Sequence, residues 1–184
     1  MDEIRIHGRG GQGGVIASKI LAVGMFIEGK EVQAFPKFGV ERRGAPIEAF
    51  LRVDMKKIMI RSEIENPNYL MVLDETLLQV LDVTVGLAEN GWLLINSTKP
   101  PEYFSKLISY RIATVDASGI AVKYELGTKS TPIVNTAICG AFSKCSKMVE
   151  INSVCQAIRE EVTVKTENNI GAAREAFETT LMLE

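Results

Sequence analysis

The sequence predicts an α/β layered domain, and three observations predict it. Short apolar runs alternate with stretches whose apolar residues recur every three or four positions, the pattern of strands alternating with helices. One run, residues 69–73, is apolar almost without interruption before Asp74, which suits a central parallel strand covered on both faces. Beyond Ala117 the pattern is helical nearly to the end of the 184 residues, a length that one domain accommodates.

Residues 4–7, Ile-Arg-Ile-His, read as the first strand. The glycine-rich segment 8–14 follows it and opens a helix over residues 15–28, where Ile16, Ile20, Val23 and Ile27 fall at helical spacing and Gly29 supplies the stop. Residues 32–35 form a second strand before Pro36, residues 49–53 a third, and residues 58–60 an edge strand. The carboxyl end of the central strand 69–73 is where a ligand or partner is expected to sit. A helix is predicted over residues 75–89, closed by Asn90 and Gly91, with further strands at 92–95 and 112–115. Thr131 can cap and Pro132 can open a helix whose stripe is Val134, Ala137, Ala141, Cys145 and Met148. Two more amphipathic helices carry Ile151, Val154, Ile158 and Val162, then Ile170, Ala173, Phe177 and Leu181.

Hydrophobic residues make up 46% of the chain, enough for a core that needs no disulfide or metal to hold it. Twenty-one basic against 23 acidic residues leave a formal charge of −2, without the basic excess that a nucleic acid partner demands. No apolar stretch approaches the roughly 20 residues needed to span a bilayer, and the acidic N-terminus does not resemble a secretion signal, so a cytoplasmic protein without membrane association is expected. Cys139, Cys145 and Cys155 match neither a C-x-x-C pair nor a four-thiolate set, and His7 is the single histidine. No metal or firmly bound cofactor is therefore expected on this chain, and the cysteines read as small core residues.

Residues 8–14, GRGGQGG, place Gly8, Gly10 and Gly13 in G-x-G-x-x-G order between a strand and a helix. Glycines let backbone N–H groups approach an anion closely, and a helix N-terminus adds a favourable dipole. Gly8, Arg9, Gly10, Gly11, Gln12 and Gly13 are thus candidates for an anion-binding loop. A dinucleotide also needs a carboxylate near the end of the second strand, which here ends Ala34-Phe35-Pro36; Glu28 and Glu31 both fall before it. The ATP-type loop fails as well, because no Gly-Lys-Ser/Thr follows. Two readings stay open: a phosphate-bearing ligand other than a dinucleotide, or glycines required for a tight turn and close helix packing.

Residues 35–46, FPKFGVERRGAP, combine aromatics, prolines and glycines with Arg42 and Arg43. Paired arginines can hold a phosphate or carboxylate in bidentate fashion, and they are enriched at protein interfaces. A solvated loop in which Glu41 balances one arginine is the alternative.

GRGGQGGVIASKILA, FPKFGVERRGAP with AFLRV after it, and TPIVNTAICGAF stand in this order, and together they resemble the gamma subunit of 2-oxoacid:ferredoxin oxidoreductases of the pyruvate and 2-oxoisovalerate type. NNIGAAREAF near the end is also similar, so the resemblance covers nearly the whole chain. It implies a single three-layer α/β/α domain over residues 1–184, with a mainly parallel Rossmann-like sheet and a helical C-terminal part. It implies a subunit of a pyruvate synthase-type enzyme, which turns a 2-oxoacid, coenzyme A (CoA) and oxidised ferredoxin into an acyl-CoA, carbon dioxide and reduced ferredoxin. In that family thiamine diphosphate with magnesium and the iron-sulfur clusters lie mainly on other subunits. The implied partners are alpha, beta and delta-type subunits, with ferredoxin reached through the complex and CoA a candidate ligand of this chain.

Gly8, Gly10, Gly11, Gln12 and Gly13 match the first family motif, with Arg9 among them. Gly39, Glu41, Arg42, Arg43, Gly44, Ala45 and Pro46 match the second, and Asn135 and Thr136 the third. Gly14 departs from it, since many members carry a larger apolar residue there. No catalytic residue is expected and the chain should be inactive alone, in keeping with the lack of a Gly-Asp-Gly thiamine motif or a Ser-His-Asp or Cys-His set. Related 2-oxoglutarate and indolepyruvate enzymes, and a free-standing Rossmann-like NAD(P)-binding protein, are the alternatives.

Overall fold

The computed structural model describes residues 1–37, 44–107 and 109–183. In chain order the elements are β1 (Asp2–Arg9), α1 (Gly14–Ile27), β2 (Glu31–Pro36), β3 (Pro46–Asp54), β4 (Tyr69–Val72), α2 (Leu77–Val80), β5 (Trp92–Asn96), a 3-10 helix (Pro101–Leu107), β6 (Arg111–Val115), α3 (Ala117–Lys123), α4 (Asn135–Ser146), α5 (Ile151–Glu161), α6 (Thr166–Thr179) and β7 (Leu181–Leu183). Among the described residues seven strands form one sheet in the order β2-β3-β1-β4-β5-β6-β7. β1, β4, β5 and β6 are parallel neighbours, and β3 and β7 run against them. β2 is antiparallel to β3 and so points with β1.

The alternating side chains of the central strands divide the core in two. Ile4, Ile6, Met71, Leu73, Leu94 and Ala113 pack with the buried faces of α1 and α3 to α6. Leu70, Val72, Leu93, Ile95 and Ile112 face the other way, against Leu77, Val83, Leu87, Phe104 and Leu107. The second face is therefore covered by turns, the four-residue α2 and the 3-10 helix. The crossover from β1 to β2 uses the first face and moves to one side, while those from β4 to β5 and from β5 to β6 use the second and move to the other. Crossovers of one hand taken in opposite directions require opposite faces, which is the doubly wound α/β arrangement.

Toward β3 the second face combines Phe50 with buried arginines. Arg5 is buried, and its guanidinium donates to the carbonyls of Ile64 (3.5 Å), Glu65 (3.3 Å), Val83 (3.0 Å) and Val85 (2.6 Å). Arg52, 1% exposed, donates to Glu3 Oε1 (2.7 Å), Gln33 Oε1 (3.0 Å) and the Glu63 carbonyl (3.3 Å). Buried carbonyls without partners would each cost about 1–3 kcal/mol, so these two side chains fix the irregular segments that cross the sheet. His7 Nε2 accepts from Arg5 Nε at 3.1 Å. Burial first, then the charges of Arg5 and Lys37, push the His7 imidazole down from 6.5 to about 4. A histidine whose folded value is depressed contributes stability above its unfolded value and loses it as pH falls toward the folded one. Unfolding free energy should accordingly decline between pH 6.5 and 4, and a His7→Gln variant followed by urea titration should show a shallower decline; an unchanged slope would refute neutral burial of His7.

Several sequence-based expectations need correction. Residues 58–60 form no strand: Asp54 Oδ1 accepts from the N–H groups of Met55 (2.7 Å) and Lys56 (3.1 Å), turning the chain out of the sheet. The helix predicted over 75–89 shrinks to α2, because Asp82 Oδ1 caps a turn at Thr84 (3.2 Å) and Gly86 at φ 78° breaks the spiral. α4 starts at Asn135, not at Thr131 and Pro132, since Gly127 and Pro132 form a bridge and Ile133 N–H donates to the Leu126 carbonyl at 3.0 Å. α4 also stops before Met148, with Lys147 left-handed. Leu181 belongs to β7, paired with Thr114, and not to the last helix.

Candidate functional site

β1 and β4 are the neighbours at which the chain diverges, to α1 over one face and to α2 over the other. In open α/β sheets ligands sit outside the carboxyl ends of strands at such a point. Arg9 ends β1 and Asp74 lies two residues beyond β4. Arg9 Nε donates to Asp74 Oδ2 at 2.9 Å, Nη1 to the Gly44 carbonyl at 3.1 Å and Nη2 to Thr76 Oγ1 at 2.9 Å. Thr76 donates from both its backbone N–H (3.0 Å) and its hydroxyl (2.6 Å) to Asp74 Oδ1. Gln12 bridges the same parts: its Oε1 accepts from Arg9 N–H at 2.7 Å and its Nε2 lies 3.5 Å from Asp74 Oδ2.

Several N–H groups of the glycine loop are used within the fold. Gly10 N–H donates to the Ala45 carbonyl (2.9 Å), Gly44 N–H to the Gly10 carbonyl (3.0 Å) and Gln12 N–H to the Arg9 carbonyl (3.0 Å). Gly8 pairs with Ile47 in the β1–β3 ladder. Gly11 and Gly13 have φ values of 100° and 84°, and a Cβ on Gly13 would stand 2.9 Å from the Cβ and Nδ2 of Asn135. Asn135 opens α4; its Oδ1 accepts from Thr136 N–H at 2.8 Å, and the Thr136 hydroxyl donates to Asn169 Oδ1 at 3.0 Å. The first motif therefore touches the end of the second at Gly44 and Ala45 and the third at Asn135. Arg42 and Arg43, with Gly39 and Glu41, lie outside the described residues.

A cavity of about 530 Å³ opens here, between the glycine loop, Asp74 and the turn at 127–133. Thr128, Ser130 and Thr131 hydroxyls border it and bond to one another, Thr128 Oγ1 lying 3.1 Å from Ser130 Oγ and 2.7 Å from Thr131 Oγ1. The cavity can offer a ligand hydroxyls and the remaining N–H groups of an arginine whose charge Asp74 offsets. Among the described residues lining it, the Thr128, Ser130 and Thr131 hydroxyls bond to one another and none is paired with a base. The sequence placed a ligand or partner at the carboxyl end of the strand before Asp74 but gave Asp74, Thr76 and the 127–133 turn no role there. The available signals were an aspartate directly after the most apolar strand and the Gly-Thr-Lys-Ser-Thr-Pro turn composition.

Burial alone would raise the Asp74 carboxyl, but the hydroxyl and N–H of Thr76 and the Arg9 guanidinium together hold it below its usual 3.8. A depressed carboxylate stabilises the fold above its unfolded value and loses that contribution as pH falls through the folded one. Asp74→Asn should cost about 2 kcal/mol at pH 7, the scale of hydrogen bonds to a charged group. The difference from wild type, read from urea midpoints, should shrink below pH 4; a difference constant down to pH 3 would contradict this charge assignment.

The cysteines are buried on α4 and α5. Burial raises the Cys139 thiol and pushes Cys145 up to about 12, so both are held as protonated thiols within the core. Among the described residues no group of three His, Cys, Asp or Glu side chains could hold a metal ion. No described helix is long and apolar enough to cross a membrane. The strand after α1, where a dinucleotide-binding protein carries its ribose carboxylate, is separated from β1 by β3, which removes the NAD(P) reading on geometry as well as on sequence.

A family model for pyruvate ferredoxin/flavodoxin oxidoreductase matches residues 3–179. The chain belongs to this family. The pyruvate/ketoisovalerate oxidoreductases common subunit gamma of Pyrococcus abyssi is 49% identical, with all of both chains covered. The pyruvate synthase subunit PorC of Methanocaldococcus jannaschii is 47% identical over 96% of each. The crystal structure of the Thermotoga maritima pyruvate oxidoreductase subunit PORC has a TM-score of 0.84 at 34% identity, covering 100% of this chain and 98% of that one. A Magnetococcus marinus 2-oxoglutarate:ferredoxin oxidoreductase, solved with 2-oxoglutarate, coenzyme A and succinyl-CoA bound, has a TM-score of 0.70 at 18% identity; 96% of this chain spans 30% of it, a likeness of fold. Relatives of this member of the pyruvate ferredoxin/flavodoxin oxidoreductase family are thus gamma subunits of an oxidoreductase complex.

Proposed function

We propose that this chain is the gamma subunit of a multi-subunit 2-oxoacid:ferredoxin oxidoreductase acting on pyruvate or a branched-chain 2-oxoacid, with residues 1–184 working as one gamma domain. The full-length 49% identity to a gamma subunit named for pyruvate and ketoisovalerate carries this reading. The chain joins alpha, beta and delta-type subunits in the cytoplasm, and thiamine diphosphate, magnesium and the clusters reside on those partners. Purification of the native protein under anaerobic conditions tests it. Co-elution with thiamine-bearing and cluster-bearing chains is expected, and elution free of both would refute the assignment.

Within that complex the cavity between the glycine loop and the 127–133 turn is the candidate CoA contact. Its support is the set of Arg9 N–H groups left beyond the bonds to Asp74, Gly44 and Thr76, beside a hydroxyl-lined turn. Loss of one charge-assisted hydrogen bond is worth about 1.5 kcal/mol or more, at least roughly tenfold in affinity. Arg9→Gln in the assembled enzyme should therefore raise the KM for CoA about tenfold at unchanged subunit stoichiometry and unchanged KM for the 2-oxoacid. An unaltered CoA dependence would leave the cavity a purely structural feature.

A further inference from the structure

The segment after β3 differs from the rest of the surface. Residues 55–61, Met-Lys-Lys-Ile-Met-Ile-Arg, have no helix or strand, and Met55 is 74% exposed, Met59 76% and Ile60 46%. Lys56, Lys57 and Arg61 are also exposed, and none of the three enters an ion pair among the described residues. The flanking acids in sequence are committed elsewhere: Asp54 to the N-terminal ammonium at 3.2 Å, Glu63 to Lys37 at 3.5 Å. Three cations without an ion pair among the described residues, interleaved with open Met and Ile side chains, thus stand on a chain whose net charge is negative.

The segment is anchored at both ends. Asp54 accepts from the N–H groups at its start, and beyond its end Arg52 and Arg5 hold the carbonyls of Glu63, Ile64 and Glu65. The apolar side chains are thus carried on a segment tied at both ends, and open apolar surface marks an interaction site. We propose that residues 55–61 are covered in the assembled enzyme by an acidic, partly apolar surface of a neighbouring subunit; this rests on the reading of the chain as a gamma subunit.

Charge and apolarity together choose that occupant. Three cations select carboxylates, and a segment without aromatic residues lacks the stacking groups of a nucleic acid site. Transient encounters use polar surfaces, whereas permanent interfaces are more hydrophobic, so the exposed Met and Ile side chains favour a resident chain over a passing electron acceptor.

The test compares the native complex with the isolated full chain. Lys56 and Lys57 should be acetylated at least tenfold more slowly in the complex, with Lys19 on α1 as an internal reference. Carbodiimide coupling should join Lys56 or Lys57 to an Asp or Glu of a different subunit. Combined Lys56→Glu, Lys57→Glu and Arg61→Glu replacement should lower the amount of this chain retained in the complex at least tenfold. Equal acetylation in both states overturns the inference while leaving the subunit reading intact. So does protection that appears only on adding the electron acceptor, or coupling only to a second copy of this chain. Recovery of the wild-type chain without neighbours overturns both.

Discussion

Gly140→Ala is expected to destabilise the chain by about 4 kcal/mol or more, reversing the usual effect of that substitution in a helix. In an exposed helix interior alanine is better than glycine by about 1 kcal/mol. Here a Cβ would stand 1.9 Å from the carbonyl oxygen of Ala173, 2.6 Å from its carbon and 2.9 Å from its Cα. The obstacle is the backbone of α6, so no rotamer change relieves it; α4 and α6 must separate. Separation gives up the Thr136–Asn169 hydrogen bond and opens space around Ala137, Ala141, Ala173 and Ala176, all fully buried. Overpacking a core costs about 1–3 kcal/mol even where side chains can adjust, and the lost contacts add to that. Gly24→Ala is the control: its Cβ would meet a methyl of Val149 at 3.2 Å, which can yield, so a change within about 1 kcal/mol is expected. Chemical denaturation of both variants decides the matter. Stability of Gly140→Ala within 1 kcal/mol of wild type would show that α4 and α6 are not locked at this glycine.

That close approach marks a boundary of what the sequence conveys. The parallel strands were legible because a strand buried on both faces must be apolar throughout, and residues 69–73 and 92–95 are. α1 was legible because its apolar spacing ends at Gly29, whose φ of 82° supplies the left-handed stop. The segment 75–89 misled because Leu77, Val83 and Leu87 are indeed buried. They reach the second face from successive turns, however, and burial alone does not distinguish a helix from a chain folded back on a sheet. The turns follow from Asp82 and from Gly86, where a Cβ would stand 2.0 Å from the Glu65 carbonyl oxygen, a contact between segments some twenty residues apart that local pattern does not encode.

The candidate site divides in the same way. Gly8 to Gly13 could be picked out because a run of glycines is conspicuous, and the resemblance added Asn135 and Thr136. That Asp74 neutralises Arg9 could not be read, since the two are 65 positions apart and meet only because β1 and β4 are parallel neighbours. The same adjacency changes the chemistry expected of the loop. Arg9, Gly10 and Gln12 spend their N–H groups on Gln12, Ala45 and Arg9, so these three are not donors to an anion, and any nest is left to Gly11 and the uncapped start of α1.

Gly13→Ala separates the packing role of the loop from any ligand role. The φ of 84° costs a non-glycine residue about 1–2 kcal/mol, and the new Cβ at 2.9 Å from Asn135 adds an overlap of about 1–3 kcal/mol; a loss near 3–4 kcal/mol is expected. Gly11→Ala meets the same conformational penalty at φ 100° but finds no atom within 4 Å, so it should lose only about 1–2 kcal/mol. The difference between the two isolates the contact with α4. A cycle combining Gly13→Ala with Asn135→Gly should recover about 1–2 kcal/mol, as expected for residues in direct contact; strict additivity would place the strain elsewhere. In the assembled enzyme the same pair discriminates function. If glycine 11 lines a CoA contact, Gly11→Ala raises the KM for CoA while the complex stays intact, whereas Gly13→Ala lowers the yield of complex first. Equal effects of both on yield, with CoA dependence untouched, would reduce the whole loop to the turn that lets α1 pack against α4.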